Sequence, residues 1–529
     1  MSIRALSISS LSPVHIGCDE VYEPSNFVIH DGLLHALDVT DLAAELSEAE
    51  RQQLGRLADE REPVGILQRF FKSKAQRLAN ISSHQVTVAG AIAKEYEEKI
   101  GRAVQQGANS PPTYNIFPIA RTAFRPLDNT PYLPGSSLKG SIRTAWLNHL
   151  LLQRGNPLRA EDSRDRNKAR TLQERLLGYS AGKFENDPFR HVILADAHPE
   201  AESIAPPTRV LYAISKKKRL SERGTPELKV FLETVPDALP AVFIGELRLT
   251  GKIDWASLCD ACNRFYRPQL ESELNHDLLG NLIDRDWKRL INDLLGEELA
   301  ELAKARQGFL LRVGRHSGAE SLTLDGVRDI KILGKKGDPP SYRPNTTEKR
   351  FASLSKAGDS GLLPFGWIWV NAGDDQHRHL FDRLRQKLAV RSQALRDEHQ
   401  DRLLTREMQQ QQRLVQAQAA AVSACAAIRA EEERSRKLAS LSDAQRDIEA
   451  FCTDGEKRAA QLNGGKDKAN TAYHAKAGQL AKKALESSDW TPEEKAAAAN
   501  AIEKWLPRIV LIDLKDMRKK LKLAALRSG

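Results

Sequence analysis

Residues 132–146, YLPGSSLKGSIRTAW, pass from a turn into a helix that carries two cations, and they decide how the rest of the chain is read. Pro134 and Gly135 form the turn, and Ser136 and Ser137 are candidate helix caps. Leu138, Ile142 and Ala145 then recur at helical spacing. Lys139 and Arg143 are four residues apart, so both project from one face near the unpaired N–H groups of a helix N-terminus. That combination builds an anion site and points to phosphate, with RNA as the carrier; the plainer alternative is a well-capped surface helix. A nucleotide P-loop is disfavoured. Gly135 and Gly140 have its separation, but Ser141 and Ile142 stand where it needs Lys followed by Ser or Thr.

Composition sets the outer limits. A chain of 529 residues is long enough for two to four domains. Its net charge of +10 comes from 80 basic and 70 acidic residues, a mixed surface that permits nucleic acid without resembling a polycationic tail. Aromatics are only 6% of residues, which favours recognition of backbone phosphates and shape over extensive base stacking. Five cysteines argue against a disulfide framework and fit a reducing cytoplasm. No apolar run has the length of a signal peptide or a membrane span, so a soluble cytoplasmic protein with no membrane partner is expected.

Local patterns predict an α+β chain. A strand is expected from Ile3 to Ser9, then a hairpin over residues 26–37 turning at Asp31 and Gly32. Thr40 or Asp41 should cap a helix through Leu57, followed by another over 64–79. Residues 156–190 look like an insertion. Strands are expected at 191–196, 208–214, 228–234 and 242–249, with a basic loop over 215–220. Helices are expected over 255–274 and 285–305, then strands at 309–313, 321–324, 330–333 and 366–370. Beyond Ala372 the composition changes: no proline occurs between Pro364 and Pro492, and Gln, Ala, Arg and Glu dominate. Long helices are the natural reading, a helical hairpin being one way to pair them, with Asp374 and Asp375 as a cap, a break at Asn463, and a capping box with Thr491, Pro492 and Glu494. Residues 373–529 carry 30 basic and 23 acidic side chains, so this extension holds +7 of the net charge.

A second glycine-rich segment lies at 309–324, FLLRVGRHSGAESLTL. A strand runs into Gly314, and a polar loop presents Arg315, His316 and Ser317 before Gly318. This loop can hold an RNA backbone or be a long solvated turn; Lys331, Lys335 and Lys336 add positive charge nearby.

Taken together, LSPVHIG at 11–17, the hairpin ending near Asp38, YLPGSSLKG at 132–140, the loop at 313–323 and LPFGW at 363–367 resemble the RAMP superfamily of CRISPR-associated RNA-binding proteins. Their order is most similar to that of the fifth subunit of the type III-A effector, the Csm complex. The resemblance spans roughly residues 1–372. It implies a ferredoxin-like, RNA-recognition-type core with insertions over 1–372, and leaves 373–529 as a helical extension. It also implies a non-catalytic subunit that grips the 3′ portion of a guide RNA at the end of the effector backbone, supporting guide maturation in antiviral defence. Its partners would be neighbouring RAMP backbone subunits, small helical subunits and, indirectly, target RNA. The implied RNA contacts are His15, Gly135, Ser136, Ser137, Lys139, Gly140, Arg143, Arg315, His316, Ser317 and Gly318, with no cofactor.

Catalytic alternatives come from related branches. Some RAMP subunits cut RNA with an aspartate near the N-terminal strand, which would single out Asp19, with Glu20 beside it; others use an N-terminal histidine, here His15. Cys259 and Cys262 have the spacing of half a zinc site, with His276 downstream, but no second pair completes four ligands. Two small semi-buried residues on a helix account for the pair better. The extension reads as a bundle centred on Trp490 and Trp505. Lys515, Arg518, Lys519, Lys520 and Lys522 make it a candidate arm for RNA or an acidic partner, with protein contacts favoured over sequence-specific RNA recognition.

Overall fold

The structure, a computed structural model, describes residues 2–23, 25–60, 63–82, 84–104, 113–158, 167–180, 182–200, 206–220, 230–333, 339–373, 375–469 and 471–528. The chain forms two compact units, 1–403 and 404–529.

The first unit is α+β. One sheet holds five antiparallel strands in the order Gly308–Arg312, Trp367–Asn371, Ser2–Ser10, Leu239–Leu249, Val192–Leu194. The N-terminal strand lies at its centre, and Leu6 and Ile8 are buried there. Helices Gly135–Arg154 and Trp255–Leu274 cover one face, the first packing through Leu138, Ile142 and Ala145 as their spacing requires. A second, mixed sheet of nine strands includes the hairpin Phe27–His30 and Leu33–Ala36. Asp31 and Gly32 both have positive φ, 49° and 73°, the twist a two-residue hairpin turn needs.

Several expected elements are interrupted. The helix expected to run from Thr40 to Leu57 is two helices, Val39–Glu45 and Glu48–Ala58. Asp38, not Thr40 or Asp41, caps the first, and Ser47 with Glu50 forms a capping box that restarts the chain. Residues 321–324 are not a strand: a 3-10 turn occupies Ala319–Leu322, with Ser321 buried. The strand at Val192–Leu194 is a short sheet edge with Ile193 exposed. Of the basic stretch expected as a loop at 215–220, Ser215 to Lys217 continue strand Arg209–Lys217, and the chain bends at Lys218 and Arg219.

A helix of 62 residues, Arg378–Ala439, follows the last strand, and the division between units falls within it. The composition changes earlier, at 372 and 373. The helix's opening turns nevertheless belong to the first unit, because Leu384 and Leu388 are buried in its core and Arg383 and Lys387 pair with the buried Glu298. Asp374 lies outside the described residues.

The second unit contains helices Asp443–Leu462, Ala472–Glu486, Pro492–Ile509 and Leu514–Lys520. Trp490 and Trp505 sit in its hydrophobic core. Thr491 and Glu494 form the expected capping box, with Pro492 at the first helical position. Asn463 and Gly464 break the chain at positive φ. No helix among the described residues is long and apolar enough to cross a membrane.

Candidate nucleic-acid interface

The separated sequence motifs meet at one end of the first unit's antiparallel sheet. The Gly366 N–H donates to the Pro13 carbonyl at 2.9 Å, and the Val313 N–H donates to the Gly366 carbonyl at 2.9 Å. Arg315 donates its N–H to the His15 carbonyl at 2.8 Å, and Trp367 donates to the Ser12 hydroxyl at 2.8 Å. Gly314 and Gly366 permit this crossing. Each has positive φ, and a Cβ on either would lie 2.2 Å from a carbonyl oxygen, that of His15 or Val313. The loop at 11–17 also reaches the other sheet, where Val14 and Val235 exchange backbone hydrogen bonds of 2.9 and 2.8 Å.

Helix Gly135–Arg154 docks onto this junction. Ser141 donates its hydroxyl to the Arg312 carbonyl at 2.8 Å, and Tyr266 donates to the Ser141 carbonyl at 3.0 Å. The two glycine-rich segments are therefore neighbours although 171 residues separate Ser141 from Arg312.

The helix N-terminus differs from its sequence reading. Pro134 is the N-cap, so Ser136 and Ser137 lie within the first turn and make no capping bond. The Gly135 N–H instead donates to the Asp196 carboxylate at 2.7 Å, which supplies an internal anion at the positive end of the helix. Gly135 must be small: a Cβ would sit 2.4 Å from the Leu194 carbonyl oxygen. Ser136 and Gly140 are exposed, and Ser137 is half-buried.

The two cations also divide. Arg143 is held by Asp187 at 2.8 Å, within a cage that includes the rings of Tyr179 and Phe189. Lys139 makes no ion pair among the described residues. Burial lowers the pKa of its ammonium; nearby Asp187 opposes that shift and Arg143 adds to it.

In the second loop Arg315 is exposed, His316 is half-buried at φ 67°, Ser317 is buried and Gly318 has φ 83°. Burial, with Arg350, Arg315 and His15 nearby, brings the His316 imidazole down to about 3, so it is neutral near pH 7. His15, expected to touch RNA, is fully buried. Its Nδ1 lies 2.7 Å from the Glu233 carbonyl, and burial lowers its pKa. The ring therefore offers RNA no surface in this structure. It is part of the seam between the two sheets.

Asp19 is exposed at φ 61° where strand Gly17–Tyr22 bulges, and Glu20 lies 4.0 Å from Arg121. Cys259 and Cys262 are buried on the core face of helix Trp255–Leu274, where burial raises both thiols above their ordinary pKa. The His276 ring accepts the Leu278 and Leu279 N–H groups. Lys331 is exposed in strand Ile330–Ile332, while Lys335 and Lys336 lie outside the described residues.

The sequence pattern of the RAMP superfamily matches residues 7–295, more than half of the chain. The chain belongs to the RAMP superfamily. It is similar to the CRISPR system Cms protein Csm5 of Methanocaldococcus jannaschii, with 27% identity over 140 residues, 26% of this chain and 28% of that protein. The chain thus matches little more than a quarter of that relative's length. Among solved structures, it resembles a chain of the cryo-EM structure of the Csm-crRNA-target RNA ternary complex in the type III-A CRISPR-Cas system. That likeness has 17% identity and a TM-score of 0.43, covering 70% of this chain and 100% of the other. The crystal structure of T. onnurineus Csm5 is similar at 17% identity and a TM-score of 0.35, covering 69% of this chain and 99% of that one. The RAMP match includes the helix motif but ends before the loop at 313–318; the fold puts the two, grouped in the sequence only by resemblance, in direct contact.

Asp196, Asp187 and Arg312 were not singled out in the sequence. Asp196 closes a short apolar strand run, an ordinary position whose role depends on a helix 61 residues earlier.

Proposed function

We propose that this RAMP protein is a guide-RNA-binding subunit of a type III CRISPR effector, with no cleavage chemistry of its own. The observation that carries the reading is the Ser141–Arg312 contact, which joins the surface formed by exposed Ser136 and Gly140 and half-buried Lys139 to the loop bearing exposed Arg315. Such a surface recognises backbone phosphates and shape rather than base sequence. The Csm5 relative favours the same role. The partners proposed are guide RNA, adjoining RAMP and small helical subunits, and target RNA through the guide. The central sheet supports a ferredoxin-like core, since strands Trp367–Asn371, Ser2–Ser10, Leu239–Leu249 and Val192–Leu194 follow that fold's 4-1-3-2 order with Gly308–Arg312 added at the edge. Residues 373–529 are proposed to serve mainly in protein contacts.

Binding is favoured over catalysis because the His15 ring is enclosed and held by Glu233, while Asp19 and the adjacent Glu20 are exposed carboxylates with no histidine or lysine bonded to them among the described residues. The deciding experiment measures affinity for a guide-length RNA across a salt series, using wild type and Lys139→Ala/Arg315→Ala. A loss of affinity together with a shallower salt dependence is expected. Unchanged affinity and slope would remove this surface from the RNA interface.

A further inference from the structure

Behind the second glycine-rich loop lies a cleft of about 860 Å³ walled by seven cations and four carboxylates. Its volume falls in the range of small-ligand sites, roughly 300–1,000 Å³. The carboxylates already have partners. Glu273 is bound by Arg312, Lys349 and the Trp367 indole; Glu320 by Lys218 and Thr346; Asp325 by Arg328; Glu348 by the Ser215 hydroxyl. Three more cations than carboxylates line the same space.

Arg312 is the group that points to a ligand. It lines the cleft, is only 2% exposed, and donates Nε to the Phe365 carbonyl and Nη1 to Glu273. Its Nη2 has no hydrogen-bond acceptor among the described residues. A buried guanidinium with a free donor edge is costly unless an anion completes it. Lys349 shares Glu273 with Arg312, and burial, with Lys218 nearby, pushes its ammonium well below the ordinary range, a shift that an anion in the cleft would oppose.

We propose that this cleft binds the terminal phosphate of an RNA strand. The inference rests on the RNA-binding reading above and assigns a separate subsite to it. A phosphate monoester carries about −1.5 to −2 charge at pH 7, close to the local cation excess. A strand end enters such a cleft with only one side encumbered, whereas an internal diester brings a single charge and chain on both sides. Arg312 would meet the phosphate at depth, with Arg343 at the exposed rim.

The test uses short RNA oligonucleotides of one sequence carrying a 3′-phosphate, a 5′-phosphate or hydroxyls at both ends, with fluorescence anisotropy of the full chain. One phosphorylated form should bind about tenfold more tightly than the hydroxyl form. That preference should disappear in Arg312→Lys and shrink in Arg343→Ala, whose exposed site leaves folding intact. Equal binding of all three by wild type overturns the proposal, as does a preference that survives both substitutions. Competition by AMP at the concentrations that suffice for the phosphorylated oligonucleotide overturns the RNA end as the source and assigns the cleft to free nucleotides. Loss of binding to every oligonucleotide would instead be a failure of the RNA-binding reading, because the subsite is measured only as a ratio.

Discussion

Ser141 donates a 2.8 Å hydrogen bond to the carbonyl of Arg312, fastening the second turn of the motif helix to the strand that leads into the other glycine-rich loop. Both partners are buried, so neither can substitute water for the bond. Ser141→Ala should lower stability by roughly 1–2 kcal/mol, measured by urea denaturation. Because the carbonyl is left unpaired, the loss should exceed that of a serine-to-alanine change on the exposed Ser136.

Three glycines separate architecture from binding. At Gly314, φ is 80° and an added Cβ would strike the His15 carbonyl, so Gly314→Ala should cost on the order of 3 kcal/mol. At Gly135, φ is ordinary but the space is closed by Leu194 and Ala195, so alanine there should shift the helix and also destabilise. Gly140 has open space and helical backbone, so Gly140→Ala should stabilise by about 0.5–1 kcal/mol. If RNA approaches the helix at Gly140, the same substitution weakens RNA binding despite the gain in stability. A thermal melt paired with an RNA titration reads both effects.

These positions also show what the sequence could express. The Gly135–Arg154 and Trp255–Leu274 helices and the turn at Asp31 and Gly32 follow from spacing and turn chemistry within a few residues, and they were legible for that reason. The Ser47 capping box was equally local, but the apolar pattern runs through it and conceals the break. Other features depend on distant chain. The Asp196 anchor displaced the serine caps because Pro134 took the cap position and the carboxylate arrived from the chain just past strand Val192–Leu194. The cleft draws on residues from Lys217 to Phe351, whose charges look scattered until the fold assembles them. His15 was identified as important by its motif, but only packing shows its ring turned inward.

Asp196 supplies a further check on the helix N-terminus. Its carboxylate accepts the Gly135 N–H at 2.7 Å and complements the helix dipole. Asp196→Ala should cost about 1 kcal/mol, whereas Asp196→Asn should retain much of the hydrogen bond and lose the charge term. Denaturation of both variants at low and high salt distinguishes these contributions: only the aspartate's advantage over asparagine should fall as salt rises.

Glu320 provides the pH prediction. Burial alone would raise its carboxyl, but hydrogen bonds from Lys218 and Thr346 outweigh that effect and bring it down to about 2 from an ordinary 4.5. A carboxyl depressed in the fold stabilises it fully above the unfolded value and loses that contribution as pH falls through the folded value. The advantage of wild type over Glu320→Gln should therefore be about 1–2 kcal/mol at pH 7, the full shift being reduced by solvent screening of a partly exposed pair. It should shrink between pH 4.5 and about 2. Comparing the two proteins at each pH removes the parallel loss from His316, which titrates in the fold near 3 and is present in both. A difference that stays constant from pH 7 to pH 3 would show that the Lys218–Glu320–Thr346 bonds do not hold that carboxylate in its charged form.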